Sequence, residues 1–352
     1  MNFLRDLFRG LALLLALFIV LSLPPALLSY NLGQKLFKPE ALLALTVEHG
    51  LREPVLAAAW DAALSDLSTD AIFNPQTWLG RWLRAAGQNA ELREQIAPRA
   101  LLVETARQGI ANGFAWLDSP NPEPAIRVDL RPFKQHVADG SDAIVNDALT
   151  RLPPCTVEQA AELGFALLND LLSGGNTAVA IPLCRPPDLI LPGFISATRL
   201  ALVEQLRFIP DDLLVQIRAG AGAADLARTQ ALLRLARFGM AWSWVGLAAL
   251  LLATAVLGGQ SIRGFLQWLG WLLLLIATLA LLLALAWLTL GRGLAWLLLP
   301  DLPAWLAIIV NGTVDGLVGE TGQALLWQAA VPALLGVGAL GTAFLFGGRG
   351  TR

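Results

Sequence analysis

Lysine, histidine and cysteine are nearly absent from this chain, and each shortage removes a class of function. Lysine stands only at Lys35, Lys38 and Lys134, and the formal net charge is −2. There is no basic stripe to neutralise a phosphate backbone, so nucleic acid is not an expected partner. The chain contains no Gly-Lys pair and therefore no P-loop, and it has neither HExxH nor a GxSxG elbow. His49 and His136 are too far apart for a sequence-local zinc motif and read as surface or structural residues. No catalytic, cofactor-binding or metal-ligating residue is assigned, and no cofactor is expected.

Charge of either sign is scarce as well. Charged residues make up 15% of the chain and apolar ones 56%, against about 25% and 45–50% in soluble domains. The apolar mass lies at the two ends. Gly10–Tyr30 carries no charge and is long enough to cross ~30 Å of hydrocarbon. It reads as an uncleaved anchor. The rival reading is a signal peptide, but Ala26-Leu27-Leu28-Ser29 offers a poor cleavage site. Pro24 and Pro25 should kink or fray its outer end. A second span is expected over about 239–257, a third to about Leu290 and a fourth over about 324–346. Trp268 and Trp287 are nineteen residues apart, about 28 Å on a helix, and read as belts at opposite interfaces. Trp271, Trp296 and Trp305 are read as further interface anchors.

Between spans three and four, Gly291–Gln323 is apolar but broken by Pro300, Pro303, Gly312, Gly316 and Gly319. An interfacial helix lying on the membrane is the expected form, with a fifth, irregular span as the alternative. With the N-terminus inside, the short cytoplasmic pieces hold Arg5, Arg9, Arg263, Arg349 and Arg352 against Asp6. The outer loop then holds Arg292 against Asp301, Asp315 and Glu320. This obeys the positive-inside rule. Both termini are expected inside a bacterial plasma membrane, with the large domain outside.

The expected organisation is a tip and first span over 1–30, and an outer domain over 31–236. Spans two and three follow over 237–290, the interfacial segment over 291–323, and the fourth span and tail over 324–352. The fold class is mainly α: an integral membrane protein with about four transmembrane helices and a mostly helical extracytoplasmic domain containing a small β element. Helices are expected over 54–67, over 75–86 behind an Asn74 cap, and over 98–117. Others are expected over 188–207 and from Ala223 into span two. Thr156-Val157-Glu158-Gln159 has capping-box spacing and should open another, to about Leu172. Ala125–Phe133 alternates like a half-buried strand, with Thr177–Leu183 as its partner.

Cys155 and Cys184 sit beside prolines in LPPCT and PLCRPP. Outside the cytoplasm a disulfide is the default, and closing a loop of about 29 residues would stabilise by roughly 3–4 kcal/mol. Two buried free thiols are the alternative. Gly336-Val337-Gly338-Ala339-Leu340-Gly341 fits GxGxxG by letter but lies inside span four, where small residues read as helix packing. Asp211-Asp212 reads as a helix start or turn, Asp66 and Asp70 as a solvated pair. Asn311-Gly312-Thr313 is a sequon by letter only. The span cores hold no Asp, Glu, Lys, Arg or His, which argues against a transporter acting alone. Thr254, Thr278, Thr289 and Gln328 can glue helices.

LSLPPALLSYNLGQKLFKP, LRPFK at Leu130–Lys134, LPPCTVEQ at Leu152–Gln159 and LCRPP at Leu183–Pro187 resemble a family of uncharacterised bacterial multi-pass membrane proteins. That resemblance implies one N-terminal span, an extracytoplasmic helical domain and C-terminal spans. It supports pairing Cys155 with Cys184 and supplies no activity. The leading expectation is a non-enzymatic membrane protein whose outer domain binds or scaffolds a membrane or envelope protein partner. The alternatives are an envelope enzyme or lipid-handling protein with a site between domain and membrane, and an extracytoplasmic sensor coupled to a partner.

Overall fold

A computed structural model describes residues 2–66, 84–85, 87–120, 125–163, 165, 184–208, 211–216, 223–258, 261–298 and 303–347. Described residues form α1 (Asn2–Leu36), α2 (Pro39–Leu45), a π-helical turn (Thr46–Gly50), α3 (Glu53–Asp66), α4 (Ala90–Ile96) and α5 (Arg99–Asp118). After these come β1 (Ala125–Asp129), α6 (Arg131–Thr150), α7 (Leu191–Phe208), β2 (Asp212–Gln216), α8 (Ala223–Gly258), α9 (Ile262–Leu298) and α10 (Ala304–Gly347). The expected helix over 75–86 and the strand Thr177–Leu183 lie almost wholly outside the described residues.

Four helices are long and apolar enough to cross a membrane: Gly10–Leu36, Ala227–Thr254, Ile262–Gly291 and Ala304–Leu345. The protein is thus mainly helical with four candidate membrane spans. The chain divides into two compact units. One comprises Met1–Leu45, Ala224–Pro300 and Val314–Arg352; the other comprises Thr46–Ala223 and Asp301–Thr313.

In the first unit α1 packs along α9. Ala16, Ile19 and Val20 of α1 close on Leu272 and Ile276 of α9, with Leu250 and Leu251 of α8 alongside. A second cluster joins Leu28 to Ala280, Ala284, Leu325 and Ala329. Alanines at these contacts let backbones approach closely, which is how helices associate where lipid removes the hydrophobic drive. Pro24 and Pro25 do not end α1, which continues to Leu36. Prolines are tolerated where neighbouring helices supply compensating polar contacts. The carbonyls that Pro24 and Pro25 leave without a helical donor are those of Val20 and Leu21; close by, the Ser243 hydroxyl of α8 donates to the Ala26 carbonyl at 3.2 Å and ties α8 to α1.

Helices and compact units run across two of the expected boundaries. Residues 31–45 belong with the helical unit rather than the middle domain. The start of Gly291–Gln323 completes α9, and 304–323 opens the 44-residue α10. Of the glycines that read as interruptions, Gly312 serves close approach, whereas a Cβ on Gly319 would meet nothing within 4 Å. A Cβ on Gly312 would stand 2.9 Å from the His49 carbonyl oxygen in the π turn.

The second unit is built around α6, which packs on α7 and α4. Its apolar positions recur as Val137, Ile144, Val145, Ala148 and Leu149, all buried with Leu92, Ile96, Phe194, Leu202 and Leu206. That recurrence is one helical stripe. Pro132 sits in its first turn, where a missing N–H costs nothing. The strand reading ends early, because Arg131–Phe133 already belong to α6. β1 pairs antiparallel with β2, Ala125 opposite Gln216 and Asp129 opposite Asp212. Of the two readings of Asp211-Asp212, the helix start does not hold: Asp211 lies in a bend and Asp212 opens β2. Its neighbours Leu213, Leu214 and Val215 carry the β-branched and apolar character a strand uses.

Candidate functional site

The turns bearing the two cysteines form one zipped structure in the second unit. Cys155 and Cys184 lie at disulfide distance, with Cα atoms 4.8 Å apart. Pro154 and Arg185 make a parallel bridge, in which Cys155 N–H donates to Arg185 O at 3.0 Å and Arg185 N–H donates to Pro153 O at 2.8 Å. The prolines earn their place because they lack a donor and fix φ, holding each turn extended. The Arg185 guanidinium then donates to Asp188 at 3.0 Å. From this anchor the capping box closes as expected: Thr156 N–H donates to Gln159 Oε1 at 3.0 Å and Gln159 N–H to Thr156 Oγ1 at 3.2 Å. The helix it opens is described over 157–163.

Around these turns apolar side chains stand in solvent. Val157, two residues after Cys155, is 89% exposed, and Leu189, five after Cys184, is 93% exposed. Phe165 and Leu200 of the same unit are exposed as well. Single exposed apolar residues are ordinary, but groups of them on one face mark binding surfaces.

Several polar residues of this unit, among those described, tie its elements together. Asp129 accepts from the Arg131 backbone N–H and from its guanidinium, at 2.8–2.9 Å. Those bonds hold its carboxyl at about 2, well below the usual carboxylate range. Leu130 N–H donates to Asp211 O at 2.7 Å and Lys134 pairs with the Asp211 side chain. LRPFK is thus the joint between the sheet and α6. His136 Nε2–H donates to the Gln95 carbonyl at 2.9 Å, tethering α6 to α4. Arg151 bridges Asp147 and Glu91, and Arg93 pairs with Glu53. His49 is half-buried in the π turn. Asp70 lies outside the described residues, and Asn311-Gly312-Thr313 lies within α10.

A second polar feature sits inside the helical unit. Asn31 of α1 and Gln328 of α10 exchange reciprocal amide hydrogen bonds of 2.9 and 3.0 Å. One turn on, Lys35 pairs with Glu320. Next to them, Trp287 Nε1–H donates at 2.9 Å to Thr321. Of the four residues expected to glue helices, Gln328 reaches another helix; Thr254, Thr278 and Thr289 donate to carbonyls of their own helices. Asn31 and Lys35 were hidden in the sequence by the span boundary drawn at Tyr30, though their i,i+4 spacing places them on one face.

The tryptophans divide. Trp271 is exposed, whereas Trp268 is half-buried against the α1–α8–α9 cluster. The indole N–H of Trp287, which a headgroup would otherwise receive, is donated inside the unit to Thr321. Trp305 is half-buried on α10, and the side chain of Trp296 lies outside the described residues.

Neither a protein-family model, nor a curated protein, nor a solved structure matches this chain.

The amide pair gives a clean double-mutant cycle. Asn31→Leu or Gln328→Leu alone leaves the partner amide unsatisfied among apolar helices and should destabilise the unit by about 1–2 kcal/mol. The double substitution should cost less than the sum of the two singles. Unfolding by a denaturing detergent, followed as loss of helical signal, measures all three. Strict additivity would mean the pair contributes nothing.

Proposed function

We propose that this protein is a non-enzymatic membrane scaffold that presents its second unit to a protein partner. In this reading the four apolar helices cross a bacterial plasma membrane, with both termini cytoplasmic and the second unit outside. The charge bias of the short loops supports that orientation. So does the cysteine pair, since disulfides persist in oxidising compartments. Trp268, Trp271, Trp296 and Trp305, together with Trp287, serve near the interfaces.

The single observation that carries the reading is the exposure of Val157 and Leu189 beside the zipped cysteine turns. A rigid, cross-linked turn that holds apolar side chains in solvent is preorganised for contact, and preorganisation lowers the entropic cost of binding. The engaged state of His136, Glu91 and Asp147 supports a binding role over acid–base chemistry.

Substituting Val157→Asp and Leu189→Asp together should reduce partner recovery at least tenfold, as loss of apolar contacts at an interface centre does. The measurement is affinity purification of the full chain from solubilised membranes, with quantitative mass spectrometry of the copurifying proteins. Both residues are exposed, so the fold should persist, as unchanged elution volume and helical signal would report. An identical partner profile from the double variant, or no partner but one tightly bound lipid, would sink the proposal.

A further inference from the structure

Between α1 and α9, within the first unit, lies a groove of about 610 Å³. Its walls are apolar: Leu13 and Leu17 from α1, and Trp268, Trp271 and Leu275 from α9, with Gln267 at one end. Leu13, Leu17, Trp271 and Leu275 are exposed along it, so the groove opens outward. The polarity of this wall changes in one direction. Arg263, Gln267, Trp271 and Leu275 follow one another at i,i+4 spacing, which places them along one flank of α9. The series runs from cation through amide and indole to hydrocarbon.

That gradient has the length of one lipid leaflet. From Arg263 to Leu275 the helix rises about 18 Å, slightly more than half the ~30 Å hydrocarbon core. On the α9 wall the charge is of one sign, and the N-terminal end of α1 adds Arg5, Asp6 and Arg9, two cations to one anion. Arg263 is exposed, and no acidic residue occurs anywhere in 226–300. No carboxylate of α8 beyond Asp225 or of α9 therefore competes for the guanidinium.

We infer that this groove holds one anionic glycerophospholipid from the leaflet on the side of the α8–α9 turn. The phosphate meets Arg263, whose fork of donors suits two phosphate oxygens. The glycerol ester region meets Gln267 and the Trp271 edge, and an acyl chain lies along Leu13, Leu17 and Leu275. The inference rests on the helices spanning a bilayer but not on the partner surface, so the two can fail separately.

The test is native mass spectrometry of the delipidated full chain in mild non-ionic detergent. The chain is titrated with phosphatidylglycerol or with phosphatidylcholine of identical acyl chains. Wild type should retain one phosphatidylglycerol about tenfold more tightly than phosphatidylcholine, the scale of one charge-assisted contact. Arg263→Gln should reduce phosphatidylglycerol to the phosphatidylcholine level. Leu17→Trp, which fills the groove from an exposed position, should lower retention of both lipids. Equal retention of the two lipids by wild type, or unchanged phosphatidylglycerol binding in either variant, overturns the assignment. Intact elution and helical content in both variants would show that any loss belongs to the groove.

Discussion

Truncating Leu149 to alanine should weaken the second unit by about 2–5 kcal/mol while leaving the helical bundle untouched. Leu149 is fully buried near the C-terminal end of α6, as are Val145 on the same helix and Leu163 in the capped helix. The cluster also takes in Phe194 and Leu202 from α7 and Leu92 from α4. Removing three carbons there leaves a void where both α4 and α7 pack on α6. Peptide-resolved hydrogen exchange of the full chain reads the effect locally. Amides of α6 and α7 should exchange about 30-fold faster or more, and those of α1 and α9 at their wild-type rates. Equal acceleration in both units would show that they unfold together and that the division into two compact units has no energetic meaning.

The same core shows why some of the fold could be read in advance and some could not. α3, α5 and the helix from Ala223 into the second span announce themselves by Pro at the start or by sustained apolar character. The capping box at Thr156–Gln159 is legible because its chemistry is local: four residues satisfy one another. α6 was missed: no helix was expected over 131–150, although the stripe from Val137 to Leu149 has helical spacing, and the alternation of Ile126, Val128 and Leu130 carried the strand reading into its first turn. The partner of β1 was not legible. β2 is five residues long and pairs across more than eighty positions, and nothing local specifies such a contact.

The polar seam failed for a similar reason. Hydropathy assigns residues to spans one helix at a time, whereas the fit of Asn31 to Gln328 and of Lys35 to Glu320 exists only once two helices are side by side. The proposed binding surface was the least legible of all. Val157 and Leu189 look like ordinary core residues until their exposure is known, because a sequence reports what a side chain is and not what covers it.

The glycine run in α10 makes the last point quantitatively. Gly336, Gly338 and Gly341 are equivalent by letter, and as a nucleotide motif they mean nothing inside a 44-residue apolar helix. In three dimensions they are not equivalent. A Cβ on Gly336 would stand 2.9 Å from the Gly270 carbonyl oxygen of α9 and 3.0 Å from Leu274, whereas one on Gly338 meets nothing within 4 Å. The carbonyl cannot rotate away as a side chain could, so α9 and α10 must separate to admit a larger residue. Gly336→Val should therefore destabilise the bundle by about 1–3 kcal/mol, the scale of overpacking. Gly338→Val should change it by less than about 0.5 kcal/mol, as substitutions at open positions do. Denaturing-detergent titrations of the two variants, with exchange of α9 and α10 amides as the local readout, separate them. Equal effects would mean that helix propensity, which is the same for both substitutions, governs this helix, and that the close approach of α9 and α10 does not. A large loss confined to Gly336→Val would fix the function of the motif as helix contact, one glycine of the three at a time.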